Sequence, residues 1–378
     1  MKIRKVTAAD LKLGMLIPWN VYSDTGALLV RKGHMIASAN QIAYLVERGS
    51  FEDYSDQGPE STGPESVLRK LNGACLELQG LQQAIARGAA PPGLRRKLEE
   101  IATLVGDAIS LNVDIATASI LHNQRQAPYP VRHCVDTAIV AQVLARARER
   151  SPDDIMAVTL AALTMNLGLL EDQQRWHDGG AAFDAAERER MMAHPELSAR
   201  LLADVGITDP TWVDCVLHHH ENEDGTGYPF GKAGAQIPPL AKLVILADRY
   251  CARVSERGYR PAMSANAALR DILLEARTTL HTSLASLLIR ELGIYPIGSY
   301  VRLINGEVAV VSRRGLQSTT PHVESMLGPR GAPLEVFLER DTRVPLHAIR
   351  EVLTNAQVAA LNAPPLRMEQ VWGRAAAL

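Results

Sequence analysis

Residues 218 to 229 read His-His-His-Glu-Asn-Glu-Asp-Gly-Thr-Gly-Tyr-Pro, which sets metal-ligand side chains against a loop of turn-forming residues. Neutral imidazole is the commonest protein metal ligand, and three imidazoles are costly to bury without partners. The run therefore predicts a coordination site. A solvated, vaguely metal-binding tract is the alternative if the triplet stands alone.

It does not stand alone. His133 falls on a helix opening near Pro130, on a face continued by Thr137, Val140, Ala141 and Leu144 at helical spacing. Asp248 sits in PLAKLVILADRY, on an apolar stripe marked by Ala241, Val244 and Ile245. A carboxylate there needs a cation, a metal or several donors. His194 precedes Pro195 at a predicted helix start. Each residue by itself has a plain structural reading: a satisfied core histidine, an Asp-Arg pair, a loop residue. Together His133, His194, His219, His220 and Asp248 occupy successive helices, and a bundle interior can converge such residues on one ion.

The elements that would position them are helical from about residue 66 to 295, broken at Pro91-Pro92-Gly93 and Gly179-Gly180. One helix is expected from Ser151, with Pro152 in its first turn and Asp154 at capping-box spacing, through to about Leu170. A second is expected from Pro195 to near Gly206, and a third from Asp209-Pro210 to the His triplet. Residues 1–56 predict a small α+β module, with strand-like Leu16 to Val21 and Ala27 to Val30. Turns are expected at Asp24-Thr25-Gly26 and Lys32-Gly33, and a helix from Ser38 to Glu47 closed by Gly49. Residues 57–65 have linker composition. Residues 296–378 predict a small β subdomain: a hairpin of Tyr300 to Ile304 and Glu307 to Val311 about a type I′ turn at Asn305-Gly306, then a strand near Leu334 to Leu338. A short helix follows, and a weakly ordered tail begins near Pro364.

The bulk properties narrow the function. Lys plus Arg (40) nearly balances Asp plus Glu (42), so no global field points to a nucleic-acid polymer or a membrane. The N-terminus lacks an apolar h-region and no uninterrupted apolar stretch reaches spanning length, so membrane insertion is not expected. Cys75, Cys134, Cys215 and Cys251 form no CxxC pair and no disulfide framework, which fits a reduced, cytoplasmic setting.

The constellation resembles the HD-GYP family of metal-dependent phosphohydrolases, over roughly residues 110 to 345. His219-His220-Glu221 followed by Asp224-Gly225-Thr226-Gly227-Tyr228-Pro229 is similar to that family's HHExxDGxGYP signature. Supporting segments are His133, His194-Pro195, Ala247-Asp248, Glu256-Arg257-Gly258-Tyr259-Arg260-Pro261, and Gly293-Ile294-Tyr295-Pro296 through Asn305-Gly306-Glu307. Residues 1–56 more loosely resemble the N-terminal module of some such proteins.

The resemblance implies a mainly α fold, an HD-type helical bundle with the α+β and β modules appended, around a two- or three-metal site that hydrolyses cyclic di-GMP. His194, His219 and His220 would hold one ion, and His133 with Asp248 would help hold another. Arg257, Arg260 and Tyr228 would contact the ligand. Asp224, Gly225, Gly227, Tyr228 and Pro229 would form a loop available to signalling partners.

One stretch departs from the family. Where its HDxGK stands, this chain has Met165-Asn166-Leu167-Gly168-Leu169. Met is a soft thioether, Asn166 offers one neutral carbonyl oxygen, and Leu169 cannot stabilise phosphate charge. The expected protein is a degenerate HD-GYP-type regulator with one divalent Fe, Mn or Zn ion, binding cyclic di-GMP or a related nucleotide. The competing reading is a metal-dependent phosphohydrolase that works with the remaining ligands.

Overall fold

The structure is a computed structural model. It describes all residues except 1, 14, 16, 18, 24–27, 31–33, 35, 37, 54–64, 124–126, 180–183 and 257–260. The chain forms two compact units, residues 1–63 and 64–378.

In the first unit, strands β1 (Lys2–Lys5), β2 (Val21–Tyr22), β3 (Leu28–Val30) and β4 (Ser50–Asp53) form an antiparallel sheet in the order β1-β4-β2-β3. Helix α1 (Ala39–Arg48) starts where the Ser38 hydroxyl accepts from Gln41 N at 3.2 Å. Its Leu45 joins Val6, Leu11, Ile17, Val21 and Ile36 in a small core. The expected turns at residues 24–26 and 32–33 lie outside the described residues. So does the expected linker, apart from Glu65.

The second unit holds helices α2 (Val67–Ala86), α3 (Leu94–Leu111), α4 (Val113–His122), α5 (Tyr129–Ala147), α6 (Pro152–Thr164), α7 (Leu170–Asp178), α8 (Ala185–Asp204), α9 (Pro210–His218), α10 (Ala241–Val254), α11 (Ala265–Glu275) and α12 (Thr282–Leu292). Helix α5 is its central element: every residue from Tyr129 to Ala145 is buried, and α3, α6, α10 and α12 pack around it. Pro152–Asp178 includes a window apolar enough to cross a membrane by length and composition, and 67% of that window is buried inside the protein. Packing against α5 and α9 accounts for its apolarity.

Two helix boundaries differ from expectation. The helix opening at Ser151, whose hydroxyl accepts from Asp154 N at 3.1 Å, stops at Thr164 rather than Leu170. There Gln82 Nε2 donates to Leu163 O at 2.8 Å, and a 3-10 turn, Leu167–Leu169, carries the chain into α7. Helix α8 begins at Ala185, not Pro195. Its capping box pairs Asp184 with Glu187, strong enough an entry signal to place Pro195 in the helix interior.

Strands β5 (Tyr300–Leu303), β6 (Val308–Arg313), β7 (His322–Leu327), β8 (Pro333–Asp341) and β9 (Ile349–Leu353) form an antiparallel sheet ordered β8-β7-β6-β5-β9. Val301, Leu303, Ala309 and Val311 join the helical core. Tyr300, Val308 and Val310 form a second cluster, against which Trp372 of α14 (Met368–Trp372) and Val358 of α13 (Asn355–Ala360) pack. The Asn305-Gly306 turn is not type I′, because only Gly306 takes positive φ (90°). Gly306 N donates to Leu303 O and Leu303 N to Glu307 O, the three-residue loop with a bulge at glycine. The tail is tied down, contrary to expectation. Trp372 Nε1 donates to Ser312 O at 2.8 Å, and Ser66 Oγ donates to Ala377 O at 2.5 Å, next to the start of α2.

Candidate metal centre

Two elements deliver the histidine cluster. His194 projects from mid-α8, while His219 and His220 follow the last turn of α9, and their ligand-capable atoms lie within 4.8 Å of one another. Pro195 has no N–H, so the carbonyl of Met191, its partner one turn back, receives no backbone donor from it. His194 Nδ1 donates to that oxygen at 2.5 Å. His219 Nδ1 donates at 2.6 Å to Val216 O, one of the carbonyls left open at the end of α9.

Carbonyl oxygens only accept, so Nδ1 carries the ring proton in both residues. Their Nε2 atoms, 3.0 Å apart, then point lone pairs at each other. Protonation does not relieve this contact. Burial, reinforced by His219, lowers His194 to about 3, and burial likewise lowers His219 and His220. A cation satisfies the pair: nitrogen ligands at about 2.1 Å on adjacent positions of one ion stand about 3.0–3.4 Å apart. The donor set fits one nitrogen-loving divalent ion.

His133, on α5, and Asp248, on α10, meet on the other wall. His133 Nε2 and Asp248 Oδ1 are 2.7 Å apart, and both side chains are buried. Burial opposes ionisation of Asp248, but the hydrogen bond and charge of His133, with His220 and His219, hold its carboxyl well below the usual range. His133, Asn166, Leu169, His194, His220, Tyr228 and Asp248 all line one cavity of about 150 Å³. Met165 does not reach it. Its side chain is fully buried in the apolar core, so of residues 165–169 it is Asn166 and Leu169 that meet the cavity.

The loop after the histidines is anchored from behind. The fully buried Glu221 carboxylate accepts from Phe230 N and Lys232 N, each at 2.9 Å. Tyr228 N donates to His220 O at 3.1 Å, and the Tyr228 ring stacks on His220 with centroids 4.7 Å apart. Asp224 caps the tip, its Oδ1 accepting from Thr226 N at 3.0 Å and Oγ1 at 2.6 Å. Gly227 has no substitute: a Cβ there would stand 2.4 Å from Asn222 N and 2.5 Å from Glu221 Cα. His218 turns away, with Nδ1 at 2.7 Å from Asp214 O and Nε2 at 2.6 Å from Lys232 Nζ. Arg257 and Arg260 lie outside the described residues.

Sequence reasoning passed over several lining groups. Tyr129 stands four residues before His133, and its ring stacks on both His133 (5.3 Å) and His177 (4.7 Å). Gln173, Trp176 and His177 close the cavity from α7, at the i, i+3, i+4 spacing of one helix face, a signal the sequence did offer. Arg249, adjacent to Asp248, donates to Glu275 Oε2 at 3.0 Å and to Asn222 Oδ1, tying α10 to α11 and to the loop.

Residues 107–283 match an HD domain family model, and the stretch contains every cavity-lining residue named above. The chain is similar to a cyclic di-GMP phosphodiesterase of Pseudomonas aeruginosa, PA4108, with 30% identity over 231 residues, 61% of this chain and 53% of that protein. A 3'3'-cGAMP-specific phosphodiesterase of Vibrio cholerae is 28% identical over 171 residues, 45% of this chain and 37% of its own length. The chain thus spans about half or less of these curated relatives. Among solved structures, Bd1817, an HDG"Y"P protein from Bdellovibrio bacteriovorus, aligns with a TM-score of 0.49 and 16% identity, over 76% of this chain and 98% of that one.

Proposed function

We propose that this HD domain binds a divalent cation and the phosphate of a cyclic dinucleotide, cyclic di-GMP in the first instance, and serves signalling with lost or reduced hydrolysis. One observation carries the reading. At residues 165–169 the cavity receives an amide and an isobutyl group, with no carboxylate and no cation.

His194, His219 and His220 would hold the ion, and three nitrogens favour Zn or Fe over Mn. When bound, such an ion polarises phosphoryl oxygens and activates water. Asp248 is engaged with His133, and Asn166 lacks the negative charge needed to hold a second dication close to the first. Tyr228, Arg257 and Arg260 would contact the ligand. The loop tip, with exposed Asp224, Thr226 and Phe230, is the surface offered to a protein partner. Four buried free cysteines accord with a reducing cytoplasmic setting.

The complete histidine cluster supports a second reading, a surviving phosphohydrolase. Metal analysis of chelator-free protein, run beside a cyclic di-GMP hydrolysis assay, separates them. About one metal per chain with nucleotide binding and negligible turnover is the expected result. Turnover that disappears in His219→Ala establishes the hydrolase instead.

A further inference from the structure

The cavity with the histidines, about 150 Å³, is small for its proposed occupant. Pockets that enclose small ligands span roughly 300–1,000 Å³. A space of this size receives a phosphate group but not the ribose and base on either side of it. A cyclic dinucleotide enters only if a wall gives way.

The wall with least behind it is α7. It meets the histidine cavity through Gln173, Trp176 and His177 and, on a neighbouring face, a second cavity of about 320 Å³ through Leu170, Glu171 and Gln174. Across that second space stands α2, with Gln79, Gln83 and Ala86. A helix laid over two unfilled spaces has little to pack on, and none of the residues of α7 is fully buried. Few buried contacts make a segment easy to displace. Its start is moored: Gly168 N donates to Ser198 Oγ at 3.0 Å, and Leu170 packs on the apolar core.

Past that point the fastenings of α7 are the stack of His177 on Tyr129 and a set of polar contacts to α8. Trp176 Nε1 donates to Glu187 Oε1 at 2.9 Å, Arg175 Nη2 reaches the same oxygen at 3.2 Å, and Arg190 Nε donates to Asp172 Oδ2 at 3.1 Å. Glu187 and Arg190 lie in the first two turns of α8, and His194 follows one turn later. Solvent-accessible ion pairs contribute little apiece. The latch therefore holds α7 on the histidine side, and an unfilled space lies on the side towards α2.

We propose that α7 is a sliding gate: released from Glu187 and Arg190, it shifts towards α2 into the second cavity, and the histidine cavity widens to admit a cyclic dinucleotide. The identity of what enters rests on the nucleotide reading of the site. The movement rests on the packing of α7 alone.

A thiol reporter reads the movement in the full-length chain. Leu169 lines the histidine cavity at 4% exposure and the four natural cysteines are buried, so in Leu169→Cys a bulky disulfide reagent labels the new thiol when the cavity widens. Adding Trp176→Phe and Arg190→Gln loosens the latch and should speed labelling about tenfold, the scale of one or two lost hydrogen bonds. Adding Ala86→Trp or Gln83→Trp, both at exposed positions on α2, fills the receiving space and should slow labelling about tenfold. Circular dichroism melts confirm that each variant is folded. Stopped-flow association of a fluorescent cyclic di-GMP analogue, in the same variants without the reporter, should change in the same directions. Labelling rates that ignore both classes of variant overturn the gate, whether or not nucleotide binds. Association rates that ignore both classes overturn its role in admission. Labelling that responds as expected in a chain that does not bind cyclic di-GMP overturns the nucleotide reading and leaves the gate standing.

Discussion

His194 Nδ1 donates to Met191 O at 2.5 Å, and Met191 O is the carbonyl that Pro195 leaves without its α-helical donor. The proline, in the interior of α8, therefore has a local effect on the site. It exposes an acceptor one turn before itself, and the histidine beside it uses that acceptor to fix its tautomer and aim Nε2 at His219.

Pro195→Ala restores the backbone donor at that position, which then competes with His194 for Met191 O. Helix α8 should keep or gain stability, while affinity for Zn should fall by about 10- to 100-fold, the usual scale for losing such an orienting contact. Competition with a chromophoric chelator measures the affinity and circular dichroism the melt. A stable variant with unchanged affinity refutes the orienting role.

Asn166→Asp places a carboxylate in the cavity shared by His133, His194 and Asp248. It should raise bound metal above the wild-type stoichiometry, measured by elemental analysis after removal of excess ion. Met165→His should add nothing by itself, since Met165 points into the core rather than the cavity, and it should destabilise by burying a polar ring.

Gly227→Ala sets a methyl against backbone atoms at 2.4 and 2.5 Å that no rotamer change can clear. A loss of about 2 kcal/mol or more in urea unfolding is expected, from forced loop displacement. Metal affinity should fall as well, because the loop carries the stacking partner of His220.

His122 accounts for an acid sensitivity remote from the metal site. Its Nε2 lies 2.6 Å from Gly298 O, and burial lowers it to about 4, partly offset by that hydrogen bond. A histidine lowered on folding contributes stability that is present above the unfolded value, near 6.5, and lost as pH falls towards 4. The full window corresponds to about 3 kcal/mol, discounted to about 2 because the ring keeps an edge at the surface. Urea midpoints compared at pH 7 and pH 4.5 should show a smaller loss in His122→Gln than in wild type.

The helical class and most of the site were legible because they rest on local, periodic signals. Asp209-Pro210 opens α9 where capping rules put it, with Asp209 Oδ1 accepting from Trp212 N. The residues on successive helices do converge. What escaped was decided by competition between signals. His194-Pro195 looked like a helix start because proline is favoured there, but the Asp184 and Glu187 capping box ten residues earlier sets the boundary. The Ser151 helix ended early through the Gln82 contact with Leu163, 81 residues away in the chain, which no local window contains. The order of the tail was hidden for the same reason, since Trp372 is held by Ser312.

Ser66 and Ala377, the residues joined by a single hydrogen bond at the two ends of the second unit, give that unit a nearly closed backbone circuit. A short peptide could join those ends without stretching, and new termini could be opened at an exposed loop such as that around Gly88. The order in which α2 through α14 are strung along the gene is then a convenience of synthesis, and a permuted chain should assemble the same histidine cavity.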